Sequence, residues 1–344
     1  MNNMATRKWR LVGRVVVCLV WIAGSVSAQG LERFTFAEPH LGTIVELTLY
    51  APEETVANDA ARAAFARVKE LDLIFSDYKP DSEVMRLCEQ AGSGRAMKVS
   101  PELLALLKQS VAVSERSDGA FDVTIGPLTR LWRRARKAKM LPKPEEIAEA
   151  KWLVGWKLVE FNDAGHSVEL KRRGMQLDFG GIAKGYIAKE ISQMLGGRGL
   201  SQTLIAVAGD IVAGDPPPSA AAWKVGVAHL DRRNGASSRL LLLKNRAIST
   251  SGDAFQFVEI GGVRYSHIVD PQTGLGLTHR SSVTVIAKDG AIADALATAV
   301  CVRGPVRGLK LIDDYADIDA LIVQATDDDV RVLESTNFHR YEAK

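Results

Sequence analysis

Between residues 33 and 50 apolar and polar positions alternate, with Val45, Leu47 and Leu49 on one face and Gly42 near the middle, which predicts a pair of strands. From Pro52 the period changes: Ala60, Ala64, Val68, Leu71 and Phe75 fall four, four, three and four apart, the stripe of one long amphipathic helix. That stripe is core and carries no chemistry. A Pro-containing loop follows, where Tyr78 is free either to stack on a planar ligand or to cover an edge of the core, and then a short helix. Ser100-Pro101-Glu102 supplies a capping serine and a first-turn proline for a helix reaching about Val113. Gly119 and Gly126-Pro127 bracket an extended piece with Phe121 and Asp122, and Leu131 and Trp132 anchor the next helix, whose basic run Arg133 to Lys139 reads as a solvated face.

A loop and short helix (142–150) and a strand pair (157–162 and 166–170) lead to Gln176–Ala188, which reads as a short strand ending at Asp178, a tight Gly180-Gly181 turn and a helix opening with Ile182, Ala183 and Lys184. Beyond it, 203–212 reads as one apolar strand containing Gly209-Asp210, and 223–227, 239–244 and 247–251 as further strands. A strand over 263–269 carries His267 and closes in the Asp270–Gly274 turn; 281–287 is a strand, 291–301 a helix, and strand and helix alternate to Val332. Long helices among hairpin-like strands, without repeats or linkers, predict a mixed α+β fold rather than a βαβ series.

The first 28 residues stand outside that fold. Arg7, Lys8, Arg10 and Arg14 precede the apolar run Val15–Ala23 and a small-residue site at Val26-Ser27-Ala28, the layout of a cleavable secretory signal peptide. The apolar run is about half of what spans a bilayer, so a retained anchor is the lesser alternative. Cys18 lies inside that run and is not placed for lipid attachment. The expected product is a soluble exported, periplasmic domain of residues 29–344. Without the leader, the chain's 44 Lys and Arg against 41 Asp and Glu become 40 against 41, and the near-neutral balance gives no argument for nucleic acid. Cys88 and Cys301 remain; two cysteines make neither a disulfide framework nor a metal motif, and their redox state stays open.

Candidate chemistry starts at the Gly180-Gly181 turn. Two glycines let a ligand approach the backbone, a helix start presents unpaired N–H groups, and Lys184 adds positive charge, a combination suited to phosphate. Gly-Gly as a mere turn and Lys184 as a solvated residue is the plain alternative. Asp294 and Thr298, four apart on a helix, share a face and offer hard oxygens to Mg²⁺ rather than zinc; alternatively Asp294 answers the helix dipole and Thr298 only packs. The chain has no P-loop, Gly-x-Gly-x-x-Gly fingerprint, His-Glu-x-x-His or Gly-x-Ser-x-Gly, and His267 alone among six histidines sits in a motif-like turn.

Taken together, these stretches closely resemble the ApbE family, the FAD:protein FMN transferases. The matching pieces are Leu41-Gly42-Thr43, Phe75-Ser76 with Tyr78, Pro80, Ser82 and Glu83, Gly119–Asp122 with Gly126–Leu128, and Asp178–Tyr186. Gly209-Asp210, Ser251–Asp253, Ser266–Ile268 with the following turn, and Asp294–Thr298 complete them, in the family's order along nearly the whole mature chain. The resemblance implies a T-fold-like α+β architecture with mixed or antiparallel sheets and packed helices. It implies FAD as substrate, contacted by Leu41, Tyr78, Ala120, Phe121, Asp122, Asp178, Lys184 and Ile268, and Mg²⁺ held by the Gly181 and Ala297 carbonyls, Asp294 and Thr298. Lys184 then neutralises phosphate charge, and His267 is the candidate base or orienter.

The implied reaction is transfer of FMN from FAD to a Thr or Ser hydroxyl of an acceptor flavoprotein, exported or a membrane redox subunit, with release of AMP. Leu41, Cys88, Ala206 and Ala208 depart from the family's usual methionine, asparagine, asparagine and glycine, none of them a metal ligand. Two other readings share the site: an FAD pyrophosphatase giving free FMN and AMP, and a non-catalytic FAD-binding protein. Acceptor identity and oligomeric state are not written in the sequence.

Overall fold

The computed structural model describes residues 30–227, 230, 239–252, 256–326 and 329–343; the leader and Asp253 lie outside the described residues. In chain order, β1 (Glu32–His40) and β2 (Thr43–Ala51) form the expected hairpin, followed by α1 (Glu54–Phe75), α2 (Glu83–Glu89), β3 (Met97–Lys98) and α3 (Pro101–Arg116). α4 (Gly126–Ala138), α5 (Pro144–Trp152), β4 (Val159–Asn162) and β5 (Ser167–Leu170) lead to α6 (Ala183–Gly196). Next come β6 (Thr203–Val207), β7 (Asp210–Ala213), β8 (Trp223–Val227), β9 (Arg239–Leu243) and β10 (Arg246–Gly252). The chain continues through β11 (Phe257–Ile260), β12 (Val263–Ser266), β13 (Ser281–Ala287), α7 (Gly290–Asp313), β14 (Asp319–Ala325) and β15 (Val330–Glu334).

Eight strands make one antiparallel sheet in the order β1-β2-β6-β7-β10-β13-β14-β15, the α+β architecture the alternating segments predict. Val45, Leu47 and Leu49 on β2 and the Ala60, Ala64, Val68, Leu71 stripe of α1 are all buried in the main core, which also takes in the apolar faces of α3, α6 and α7. Each fully buried Leu or Val there contributes about 1.5–3 kcal/mol relative to exposure. On the other sheet face Trp223, Val225, Leu241 and Phe338 cover Ile248, Ile286 and Leu321. A third cluster, Leu128, Leu131 and Trp132 against Val258 and Tyr265, joins α4 to the β11–β12 hairpin. The Trp132 Nε1–H closes it by donating to the Gly274 carbonyl at 2.8 Å.

Several expected boundaries move. Residues 203–212 are two strands, β6 and β7, because the chain reverses at Ala208-Gly209, with Ala208 at φ 55°. Two small residues lacking the Asn or Asp of common hairpin turns hid that reversal. The expected extended piece at 119–126 is a run of turns, curled by the Asp122 carboxylate, which accepts from Thr124 N and Oγ1 at 2.8 and 2.7 Å and from Trp156 N at 3.0 Å. Residues 176–178 make only one bridge, Ile125 to Gln176, rather than a strand, and the strand expected over 263–269 ends at Ser266. α7 runs past the expected end at Cys301, with a kink at Gly304 (φ 72°) ahead of Pro305.

The start of α6 meets the start of α7 backbone to backbone. A Cβ on Gly185 would lie 2.0 Å from the Gly290 carbonyl oxygen, and one on Gly290 would lie 2.2 Å from that of Gly185. Neither atom is a flexible side-chain tip, so only glycine fits at both places. Gly185→Ala is therefore expected to destabilise the fold by about 1–3 kcal/mol through overpacking. Urea denaturation measures this, and an unchanged midpoint would contradict the close crossing.

Candidate active site

That crossing sets Lys184 on α6 against Asp294 on α7. The first residue before α6 is Ile182, which offers no capping side chain; instead the Gly185 N–H donates to Asp294 Oδ2 at 3.3 Å, a cap supplied by the neighbouring helix. Asp294 is free for this because α7 has its own cap: Asp289 Oδ1 accepts from Ala291 N and Ile292 N at 2.9 and 3.2 Å. An acid answering the dipole of its own helix is thus Asp289, not Asp294, which is 1 % exposed in the second turn.

Lys184 Nζ lies 2.6 Å from Asp210 Oδ2 and 3.3 Å from Asp294 Oδ2. Asp210 stands at the head of β7, and its other oxygen accepts from Ser249 Oγ on β10. Burial works against the charge on Lys184, yet attraction to Asp210 and Asp294 outweighs it and the ammonium titrates above its ordinary value. Burial, and next the repulsion of Asp210, push Asp294 up to about 7 despite Lys184 and the Gly185 N–H. Two buried carboxylates share one ammonium, so the cluster carries an unmet negative charge when both ionise.

Thr298, one turn along α7 from Asp294, has its Oγ1 3.4 Å from Ser251 Oγ. Gly181 is drawn against it so closely that an added Cβ would sit 2.9 Å from Thr298 Oγ1 and 3.5 Å from Phe121 Cε2. Gly181, Lys184, Asp294 and Thr298 are therefore brought together, with Phe121 beside them. Among the described residues no group of three His, Cys, Asp or Glu side chains could hold a metal. A cation here would rely on the Asp294 carboxylate, the Thr298 hydroxyl and the Gly181 and Ala297 carbonyls, hard oxygens that fit Mg²⁺ and meet the unbalanced charge.

Asp178 forms the other side of the Gly-Gly turn. Its Oδ1 accepts from Gly180 N at 2.8 Å, and its Oδ2 accepts from Thr129 Oγ1 at 2.8 Å and Arg133 Nη2 at 3.1 Å. Arg133 also binds Asp77 and lays its guanidinium 4.2 Å over the Tyr78 ring, which is 74 % exposed. Arg133 is thus not part of a merely solvated face. Ala120 and Ile268 are buried, and Asp122 spends both carboxylate oxygens on Thr124 and Trp156. Leu41, at φ 56°, turns β1 into β2 and lines a cleft of about 790 Å³ with His40, Lys69, Asp72 and Lys79. A leucine in left-handed backbone is uncommon outside functional turns. His267, past β12, has both its N–H and Nδ1 on the Gln256 carbonyl, at 3.0 and 3.1 Å.

Asp210, Ser249, Ser251, Thr129 and Arg133 join the site without having been assigned a role from sequence. Gly209-Asp210 was the available signal, a motif without an evident partner. Cys88 and Cys301 are both buried and not joined in a disulfide; the Cys301 thiol donates to the Ser251 carbonyl at 3.6 Å, the Cys88 thiol accepts from Leu177 N at 3.3 Å, and burial pushes Cys88 up to about 11.

The ApbE family model matches residues 41–322. The FAD:protein FMN transferase of Treponema pallidum is 31 % identical over 331 residues, covering 92 % of this chain and 91 % of that protein. The FAD:protein FMN transferase of Vibrio cholerae is 29 % identical, covering 91 % and 94 %. Among solved structures, the flavin transferase ApbE from Vibrio cholerae superposes with a TM-score of 0.80 at 27 % identity, covering 90 % of this chain and 99 % of that one. The ApbE protein of Thermotoga maritima gives 0.81 at 30 % identity, covering 91 % and 100 %.

In metal-free protein, Asp210→Asn removes a like charge from beside Asp294 and frees Lys184 for it, so ionisation of Asp294 becomes easier. Its midpoint, about 7 in the parent, is expected to fall. Carboxyl NMR titration reads this directly; a midpoint unchanged or raised would mean that Asp210 does not govern the cluster.

Proposed function

The chain belongs to the ApbE family, and on that premise we propose that it transfers FMN from FAD to a Ser or Thr hydroxyl of an acceptor flavoprotein, releasing AMP. The observation that carries the reading is the Lys184–Asp294–Thr298 cluster at the Gly180-Gly181 turn, a cation beside hard oxygens where a dinucleotide's phosphates would meet a helix start. The names of the Treponema pallidum and Vibrio cholerae relatives support the same activity. Export through the N-terminal leader, and acceptors that are exported or membrane-bound, belong to this proposal.

In the proposed reaction the acceptor oxygen attacks the FMN-side phosphorus, the bond from that phosphorus to the bridging oxygen breaks, and AMP departs with the electron pair. Mg²⁺, held by the Gly181 and Ala297 carbonyls, Asp294 and Thr298, would neutralise the charge on the phosphates. Lys184 adds a positive charge, its ammonium held above its ordinary value by Asp210 and Asp294. Asp210 and Ser249 position that lysine. Asp178, fixed by Thr129 and Arg133, holds the turn open toward the ligand, while Tyr78 and the Leu41 turn offer surfaces for planar rings. His267, oriented by the Gln256 carbonyl, takes the proton of the attacking hydroxyl.

Incubating the mature protein with FAD, Mg²⁺ and a candidate acceptor domain tests the proposal by intact mass and AMP release. A mass gain equal to one FMN with equivalent AMP is expected; AMP and free FMN without labelling would favour the pyrophosphatase, and neither product would favour an FAD-binding protein. Asp294→Ala is expected to reduce AMP release by at least about a hundredfold while retaining part of the FAD binding. Full activity of that variant at low Mg²⁺ would overturn the metal assignment.

A further inference from the structure

We propose that the cleft between α4 and the β11–β12 hairpin docks an acidic segment of the acceptor protein; this rests on the transferase reading above. From Gly126 to Lys139 the chain carries Arg130, Arg133, Arg134, Arg136, Lys137 and Lys139 and no acid. The apolar side of this helix is used up in the Trp132 cluster, which fixes its orientation against the hairpin. Arg133 is answered by Asp77 and Asp178, and Arg134 faces Glu146 at 3.8 Å. Arg136, Lys137 and Lys139 have no ion pair among the described residues, and with Arg133, Phe257, Val258 and Glu259 they line a cleft of about 720 Å³.

The opposite wall contributes one acid, Glu259, against the three unpaired cations of the α4 side. Glu259 stands across the hairpin from Arg264, whose guanidinium lies 3.3 Å over the Phe257 ring. In a mature chain of nearly balanced charge, this is a local concentration of cations kept in one concave place, and like charges held together favour an anionic partner.

Position identifies that partner. One end of the cleft is Arg133, bonded to Asp178 at the flavin-transfer site; its far wall begins at Phe257, the residue after Gln256, whose carbonyl orients His267. A polypeptide lying here with its acidic side chains on α4 and apolar ones on Phe257 and Val258 runs between the two places where its hydroxyl must be presented. A phosphate alone would leave the apolar wall without a role. None of the residues lining the cleft belongs to the Lys184–Asp294–Thr298 cluster, so affinity for the acceptor is separable from affinity for FAD.

The test uses the full mature protein with FAD, Mg²⁺ and an acceptor domain, following labelling and, separately, acceptor binding by calorimetry. The Arg136→Glu, Lys137→Glu double variant is expected to raise the acceptor KM at least about tenfold and to leave the FAD KM and thermal midpoint unchanged. Rising ionic strength should weaken acceptor binding by the parent and not by the variant, and Arg136→Lys with Lys137→Arg should restore the parental KM. Lys139→Glu, on an exposed residue, repeats the measurement should the double variant fold poorly. An unchanged acceptor KM overturns the proposal, as does a parallel rise in the FAD KM, which would assign the cleft to the dinucleotide. A parent that binds the acceptor salt-sensitively without labelling it would sink the transferase reading and leave the docking surface standing; a parent that does neither would sink both.

Discussion

Two buried carboxylates held against a single ammonium are the constraint around which this molecule is arranged. Asp210 and Asp294 come from a strand and a helix far apart in the chain, and Lys184 from a second helix ties them together. Removing one partner of such a cluster typically costs about 3–5 kcal/mol, because a charge is left buried without an answer. The arrangement is not a neutral one, since the second carboxylate raises the first. The cation proposed for this site would answer that imbalance, with the Thr298 hydroxyl and the Gly181 backbone as hard-oxygen neighbours.

The cluster exists only because two helices can approach without side chains between them. Gly185 and Gly290 let α6 and α7 touch through their carbonyls, and that contact lets a carboxylate on one helix cap the other. The same short distance brings Gly181 onto Thr298. Ala208 adopts left-handed backbone at a hairpin reversal immediately before Gly209-Asp210. With Ala208 at φ 55°, this chain accepts a steric penalty of about 1–2 kcal/mol to present Asp210 at the head of β7.

A separate lobe, α4 with α5 and the β11–β12 hairpin, is built on Trp132 and carries a different chemistry. Its inner edge supplies Arg133 to Asp178 and Tyr78, and its other edge presents Arg136, Lys137 and Lys139, which form no ion pair among the described residues. Thr129 and Arg133 of α4 both tie this lobe to Asp178 at the Gly180-Gly181 turn.

Along the sequence, local period and turn chemistry were enough to place β1 and β2, the α1 stripe, the serine-capped α3 and the Gly180-Gly181 start of α6, because each depends on residues within a turn or two of one another. The ordered motifs were enough to identify the family and to nominate Lys184, Asp294 and Thr298. Asp210 could not be assigned that way: its partner is 26 residues upstream in Lys184, and the Ala208-Gly209 reversal that aims it carries none of the usual turn residues. Arg133 was equally hidden, since a basic run on an amphipathic helix has the same spacing whether it faces water or an aspartate 45 residues away. Periodicity reports which face of an element is buried; only the packing of elements distant in sequence decides what that face, or the opposite one, will meet.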